Sequence, residues 1–285
     1  EPFVIAPGEG PVVDRLRSRG VAVSVIPLPC WTTFGAASSS SLRERLRRFR
    51  QTLRTLPEVI QQLKRWDADI VYTNSAVMAV GALAAVALRR PHVWHLREFG
   101  DLDYGLSWDL GKTFAACCMA RTDARIVVSR ALGKHYFGVR FPRNTHVVYN
   151  GILSEGEFDR WRALRQGPRP ERPFTFSLVG LIHPCKGQDI AIRALSLVAR
   201  DFPGVCLNLA GDVSFPEEKA RLERLVRTEG GSERVRFLGY VDDPYDVYRD
   251  SDAVLMCSRS EAMGRVTVEA MSATLPVIGY DNAGT

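Results

Sequence analysis

The chain has 285 residues, of which 46% are hydrophobic and 25% charged, a balance that excludes a disordered or collagen-like polymer. At roughly 150 residues per domain, this length predicts two domains. Thirty-eight Lys plus Arg against 32 Asp plus Glu leave a net charge of +6, and the basic excess lacks the interleaved aromatics or motif of a nucleic-acid surface, so no nucleic-acid partner is expected.

Short β-branched runs alternate with helical patterns along the chain. Phe3 to Ala6, Val21 to Pro27, Asp69 to Thr73, His92 to Leu96 and Arg125 to Ser129 read as strands, the rhythm of βαβ units. Between the second and third of these, Leu46, Phe49, Leu53, Leu56, Ile60 and Leu63 recur at alternating four and three, marking one apolar helix face from Leu42 onward. The other face carries Arg43, Arg45, Arg47, Arg48, Arg50 and Arg54. It fits either the solvated outside of a helix packed on a sheet or a peripheral contact of residues 42–65 with an anionic membrane. Pro57 is expected to kink or split this helix. The longest apolar run, Ala76 to Leu88, is closed by Arg89-Arg90 and falls short of the ~18 residues of a membrane span.

Residues 152 to 172 are polar and Pro-rich and break the rhythm. The reading is an N-terminal domain over 1–155, a linker over 156–171 and a C-terminal domain over 172–285. A second strand series follows at Phe174 to Val179, Val205 to Ala210, Val235 to Leu238, Ala253 to Cys257 and Pro276 to Gly279. The fold class is α/β: two Rossmann-like, doubly wound parallel-sheet domains facing a cleft, with function in the strand-to-helix loops. Six cysteines are scattered without a CxxC or Cys/His ligand spacing, which argues against a zinc site or disulfide framework and favours a reducing, cytoplasmic setting. Glu1-Pro2 without an initiator Met, and the stop at Thr285, read as a fragment lacking both termini.

The loop Ser258-Arg-Ser-Glu-Ala-Met-Gly-Arg265 follows an apolar strand and enters a helix. With the helix starting near Gly264, Glu261 stays in the loop and Glu269 falls on the second turn, so both carboxylates are expected to face one ligand. The amides of Met263, Gly264 and Arg265 are expected to point out of the helix N-terminus, where unsatisfied donors and partial positive charge suit a phosphate.

Glu261 and Glu269 with seven residues between them, then Ala270-Met271, a small residue and Pro276-Val-Ile, resemble the EX7E motif of retaining glycosyltransferases of family 4, which have the GT-B fold. Ala262 and Met263 stand where that family usually shows Gly-Phe. Val179-Gly-Leu-Ile-His-Pro-Cys-Lys-Gly187 resembles the family's strand, glycine turn and Lys-Gly helix start, which implies that Lys186 meets the donor diphosphate beside Gly180. A fixed ammonium there would stabilise the charge that a leaving diphosphate gains. Leu181 departs from the family's frequent Arg, leaving that charge to Lys186 and Arg265 or to an arginine elsewhere. Phe237-Leu-Gly-Tyr-Val-Asp242 likewise implies that Tyr240 and Val241 meet the nucleobase, and Val266 belongs to the donor side.

In the N-terminal half, Val4-Ile-Ala-Pro-Gly-Glu-Gly-Pro-Val12 is similar to the family's second strand and turn, which implies that a first strand, its Gly-rich loop and a helix are missing. His92 to Gly100 ends in a polar cluster where the family often carries a catalytic-face histidine. His95, Arg97 and Glu98 compete for that role; strand alternation puts His95 and Arg97 on one face and Glu98 on the other, so all three can share one site only if the strand ends by Arg97.

Asp101-Leu-Asp103 is a literal DxD, and Asp242-Asp243 another acidic pair, but so short a pattern recurs by chance. The resemblance implies no cofactor and no required metal, only a UDP-, GDP- or ADP-sugar as donor. The expected activity is retaining transfer of a sugar from a nucleoside diphosphate sugar to a hydroxyl of a glycan, lipid-linked or small-molecule acceptor, in glycan, polysaccharide or glycolipid biosynthesis. The expected place is the cytoplasm or the inner membrane surface. A nucleotide-sugar-binding module without catalysis is the alternative. A GT-B epimerase would need an acid/base set that these residues do not offer.

Overall fold

A computed structural model describes residues 1–34, 41–165 and 171–284. The chain divides into two compact units, Glu1–Tyr149 and Asn150–Thr285.

In the first unit the strands are β1 (Phe3–Ala6), β2 (Ala22–Val25), β3 (Thr32–Phe34), β4 (Val71–Asn74), β5 (His92–Leu96), β6 (Leu106–Trp108), β7 (Ala124–Val127) and β8 (Thr145–Val147). The helices are α1 (Pro11–Ser18), α2 (Leu42–Arg65), α3 (Val80–Leu88), α4 (Asp101–Tyr104), α5 (Lys112–Ala120) and α6 (Arg130–Phe137). A parallel four-stranded sheet runs β4-β5-β7-β8, β1 pairs with β2 in parallel, and β3 with β6 antiparallel. β5 alternates buried His92, Trp94 and Leu96 with half-buried Val93 and His95, the period of a strand with two unlike faces. Ile26, Val59, Leu63, Val71, Val80 and Ala84 form one core between α2, α3 and the strands.

Three elements went unread in the sequence. β3, β6 and β8 have three residues each, too few for a period to show. α2 starts on a capping box, Ser41 accepting from the Glu44 amide and Glu44 returning the bond. It runs unbroken for 24 residues through Pro57, so the expected split does not occur. Only the later part of its apolar face packs: Val59 and Leu63 are buried, whereas Leu42, Leu46, Phe49 and Leu53 stand exposed.

The second unit holds β9 (Thr175–Val179), β10 (Cys206–Ala210), β11 (Val235–Gly239), β12 (Ala253–Met256) and β13 (Val277–Gly279), with α7 (Glu155–Arg162), α8 (Gln188–Val198), α9 (Pro216–Thr228), α10 (Pro244–Arg249) and α11 (Arg265–Ser272). Its five strands are parallel in the order β11-β10-β9-β12-β13. β10 is buried throughout while the edge strands β11 and β13 are open, as a doubly covered sheet requires. Leu178, Ile192, Leu195, Leu207, Leu209 and Leu222 pack one face, and Trp161, Tyr248, Val254, Ala270 and Leu275 the other.

The unit division falls between Tyr149 and Asn150 rather than after residue 155. Part of the expected 156–171 linker is α7, whose Trp161 is buried against Tyr248 in the second core. A polar, capped helix with a single apolar anchor looks like a linker in composition. Residues 166–170 of that stretch lie outside the described residues.

Candidate active site

β9 lies between β10 and β12, and the chain runs outward from β9 to β10 and β11 before returning to β12 on the other side. Ligands of open parallel sheets collect beyond the carboxyl ends of the strands at such a reversal. Two loops open there, Gly180 to Gly187 after β9 and Cys257 to Gly264 after β12. Gly187 has φ 71° and a Cβ on it would fall 2.2 Å from the Cys257 carbonyl oxygen, so these loops touch only because residue 187 lacks a side chain. Gly211, at φ 153°, meets the Gly180 carbonyl in the same way, at 2.0 Å.

Across this junction Lys186 Nζ donates to Glu261 Oε1 at 2.6 Å, with side chains 19% and 15% exposed. Lys186 ends a 3-10 turn, Pro184–Lys186, started by His183, whose Nδ1 accepts from the Cys185 amide at 3.2 Å. The ammonium is thereby fixed before any ligand arrives. Three donors on Nζ let it hold Glu261 and a phosphate oxygen together.

Glu261 lies in the loop and Glu269 in α11, as the sequence predicts, but Glu269 is buried, 6% exposed. Its Oε2 accepts from the Tyr248 hydroxyl at 2.9 Å and its Oε1 from Arg265 Nη2 at 3.3 Å. Burial, with Glu269 adding to it, drives the Tyr248 pKa far above the phenol range, so the hydroxyl stays protonated as a donor. Tyr248 and His183 are site residues that the sequence reading missed. Tyr248 stands 21 residues before its partner and no spacing links them, whereas a polar residue ahead of Pro184 was a readable turn signal.

The amides at the start of α11 differ from expectation. The Gly264 amide donates to the Gly284 carbonyl at 3.0 Å and the Arg265 amide to Met263 at 2.8 Å. Gly284 in turn donates to the Glu261 carbonyl at 2.7 Å, and Asn282 Nδ2 to that of Arg259 at 2.6 Å. The returning stretch 281–284 thus covers part of the helix terminus. Among the described residues, the Met263 and Val266 amides have no such partner. Met263 also accepts, through Sδ, the Asn150 amide at 3.1 Å.

The remaining donor-side candidates border the same sheet edge. Gly180 follows β9 directly and its amide donates to Ala210 at 2.8 Å. Tyr240, just after β11, is 70% exposed and covers no core, and Val241 beside it is half-buried.

In the first unit β5 ends at Leu96, so Arg97 and Glu98 fall in the following turn rather than on its alternating faces. His95 Nδ1 meets the Tyr72 hydroxyl, and burial, assisted by Arg97, lowers its pKa. Arg97 is exposed. Glu98 Oε1 accepts from the Ser75 hydroxyl and, at 2.6 Å, from the Ala76 amide. It holds the loop after β4, where Ser75 has φ 111°.

Asp101, Asp103 and Asp243 of the two acidic pairs are occupied internally. Asp103 accepts from the Phe99 and Gly100 amides at 2.8 and 2.7 Å. Burial works to raise the Asp101 pKa, but His135 at 2.7 Å and Lys112 at 3.0 Å outweigh it and bring it to about 2. Asp243 caps α10 through the Tyr245 amide and pairs with Arg160 at 2.7 Å. Among the described residues no group of His, Cys, Asp and Glu is placed to hold a metal ion, and no helix is long and apolar enough to cross a membrane.

Residues 12–155 match the family described as Glycosyltransferase Family 4, and residues 159–285 the one described as Glycosyl transferases group 1. The chain belongs to this glycosyltransferase family. A sulfoquinovosyl transferase of Arabidopsis thaliana is 28% identical over 244 residues, covering 80% of this chain and 46% of the relative. A D-inositol 3-phosphate glycosyltransferase of Mycolicibacterium smegmatis is 35% identical over 140 residues, 46% of this chain and 31% of the relative. The chain thus spans less than half the length of either. Among solved structures, the Anabaena protein HepE in complex with UDP and glucose superposes with TM-score 0.75 at 24% identity, over 99% of this chain and 73% of that one. The glycosyltransferase chain therefore has the GT-B architecture, an α/β fold of parallel sheets and helices.

Proposed function

We propose that this glycosyltransferase moves a sugar, with retention of anomeric configuration, from a nucleoside diphosphate sugar to a hydroxyl acceptor in glycan, polysaccharide or glycolipid synthesis. The observation that carries the reading is the Lys186–Glu261 contact of 2.6 Å at the β9/β12 reversal. The structure of HepE with UDP-glucose supports a nucleotide-sugar donor.

In this reading Lys186 and Arg265, with the Met263 and Val266 amides, receive the diphosphate. Glu261 accepts from donor-sugar hydroxyls and Glu269, held by Tyr248, from the ribose. Tyr240 and Val241 meet the base, with Gly180 leaving room for the phosphates. As the bond from the anomeric carbon to the diphosphate oxygen breaks, its electron pair stays on that oxygen and the ammonium stabilises the charge. The acceptor oxygen attacks from the same face and its proton passes to the departing phosphate, so the step needs no protein nucleophile. His95 and Arg97 are the acceptor-side candidates. The exposed Leu42, Leu46, Phe49 and Leu53, with the flanking arginines, favour peripheral contact of residues 42–65 with an anionic, cytoplasm-facing membrane surface.

The test is product analysis. Purified protein is given each α-configured UDP-, GDP- and ADP-sugar with hydroxyl acceptors, and the anomeric proton coupling of the product is read by NMR. An α-linked product supports the reading. A β-linked product contradicts retention, and donor binding without transfer to any acceptor favours a nucleotide-sugar-binding module instead.

A further inference from the structure

The turn that carries Lys186 is capped by an imidazole. Pro184 opens the turn and keeps the residue before it extended, and His183 has φ −154° and ψ 143°, which brings its side chain back over the turn as an N-cap does. Its Nδ1 faces two donors of Cys185, the backbone amide at 3.2 Å and the thiol at 2.8 Å. A ring nitrogen that accepts a backbone N–H carries no proton of its own, which assigns a neutral imidazole with its hydrogen on Nε2.

Cys185 joins the two site loops. Its amide hydrogen goes to His183, while its carbonyl accepts from the Arg259 amide at 3.2 Å, two residues before Glu261. Lys186 follows directly, its own amide bonded to the His183 carbonyl at 2.9 Å. The charged groups that bear on the ring are Lys186 in the same loop and Glu218 of α9, the latter paired with Arg221 at 2.8 Å. Phe215, which caps α9, packs on the ring at 5.5 Å. Burial, with Lys186 adding to it and Glu218 opposing, holds the His183 pKa below 6.5. A second proton on the ring must go to Nδ1, where it turns the acceptor into a donor aimed at a donor.

We infer that His183 is a positioning residue for Lys186, and that only its neutral imidazole holds the ammonium where a diphosphate meets it. The inference rests on the reading of Lys186 as the partner of the donor diphosphate. The cap is complete while the imidazole is neutral and is lost as His183 gains its second proton, so donor affinity falls on the acid side of neutrality. A sugar nucleotide's diphosphate is esterified at both ends and takes up no proton there, so the loss belongs to the protein.

The test is calorimetric titration of UDP-, GDP- and ADP-glucose into the wild type, His183→Ala and His183→Asn across this pH range, with folding followed by circular dichroism. Asparagine Oδ1 stands as many bonds from Cα as histidine Nδ1, accepts an amide hydrogen and does not titrate. His183→Ala should bind the donor about fivefold more weakly above neutrality, the loss of one cap. His183→Asn should recover most of that affinity and abolish the acid-side fall. Binding by folded His183→Ala equal to the wild type overturns the inference, as does an acid-side fall that persists in His183→Asn. NMR of the imidazole nitrogens supplies a readout without ligand: Nδ1 should be unprotonated at neutral pH, and a protonated Nδ1 overturns the cap. Donor binding that Lys186→Ala abolishes and both His183 variants leave unchanged overturns this inference alone. No binding of any of the three sugar nucleotides to the wild type overturns the donor reading and this inference with it.

Discussion

Lys186 Nζ and Glu261 Oε1 stand 2.6 Å apart although 75 residues separate them in the chain. The contact exists because β9 and β12 are neighbours in the sheet while β10 and β11 intervene in sequence. Lys186→Ala should lower the transfer rate by about 10²- to 10³-fold, the loss typical of removing one preorganised donor to a developing oxyanion. Stability should fall by about 1–3 kcal/mol, since the pair is largely buried and Glu261 loses its ammonium partner. Steady-state kinetics beside urea unfolding separates the two effects, and a stability loss large enough to explain the inactivity would count against a catalytic lysine.

Tyr248 tests whether Glu269 is positioned or merely buried. Tyr248→Phe removes a hydrogen bond to a carboxylate that is 6% exposed and should cost about 1–3 kcal/mol. If Glu269 serves the ribose, the KM for the donor should rise more than kcat falls. A stability loss with unchanged KM would reduce the pair to a structural one.

The close approach of the two site loops gives a sharper test of the fold. Gly187→Ala combines a positive φ with a Cβ 2.2 Å from a backbone oxygen and should destabilise by about 2 kcal/mol or more. Gly204→Ala, where a Cβ meets nothing within 4 Å, should change stability by no more than about 1 kcal/mol. Thermal unfolding of the two variants should differ in this order.

His92 predicts an acid-side weakness. It is buried between Thr73 and Thr122, and its folded pKa of about 4 lies below the free value of 6.5. The folded state therefore binds fewer protons, so this contribution is complete above pH 6.5 and is lost as pH falls toward 4. About 2 kcal/mol should disappear from unfolding stability between pH 7 and pH 5. His92→Gln should flatten that slope, as urea titrations at the two pH values would show.

The repeated βαβ rhythm was legible because strands of four and five residues with buried neighbours must be apolar in pattern. β5 and its limits follow from the alternation in His92–Leu96 alone. The short β3, β6 and β8 carry no period. α7 reads as a linker because Trp161 is its single buried anchor. At the site, Lys186, Glu261 and Glu269 were legible as a motif, each next to a glycine turn or a helix start. Tyr248 was not, because its role comes from the packing of α10 against the sheet. The engagement of the Gly264 amide by Gly284 was equally hidden, being a tertiary contact made by a loop.

The most direct test is thermal unfolding with UDP-, GDP- and ADP-sugars in the presence of a metal chelator, in the wild type and in Lys186→Ala. The donor-site assignment predicts that one nucleoside diphosphate sugar raises the melting temperature saturably without metal and that Lys186→Ala abolishes the shift. No shift with any sugar nucleotide, or a shift unchanged in Lys186→Ala, would contradict it.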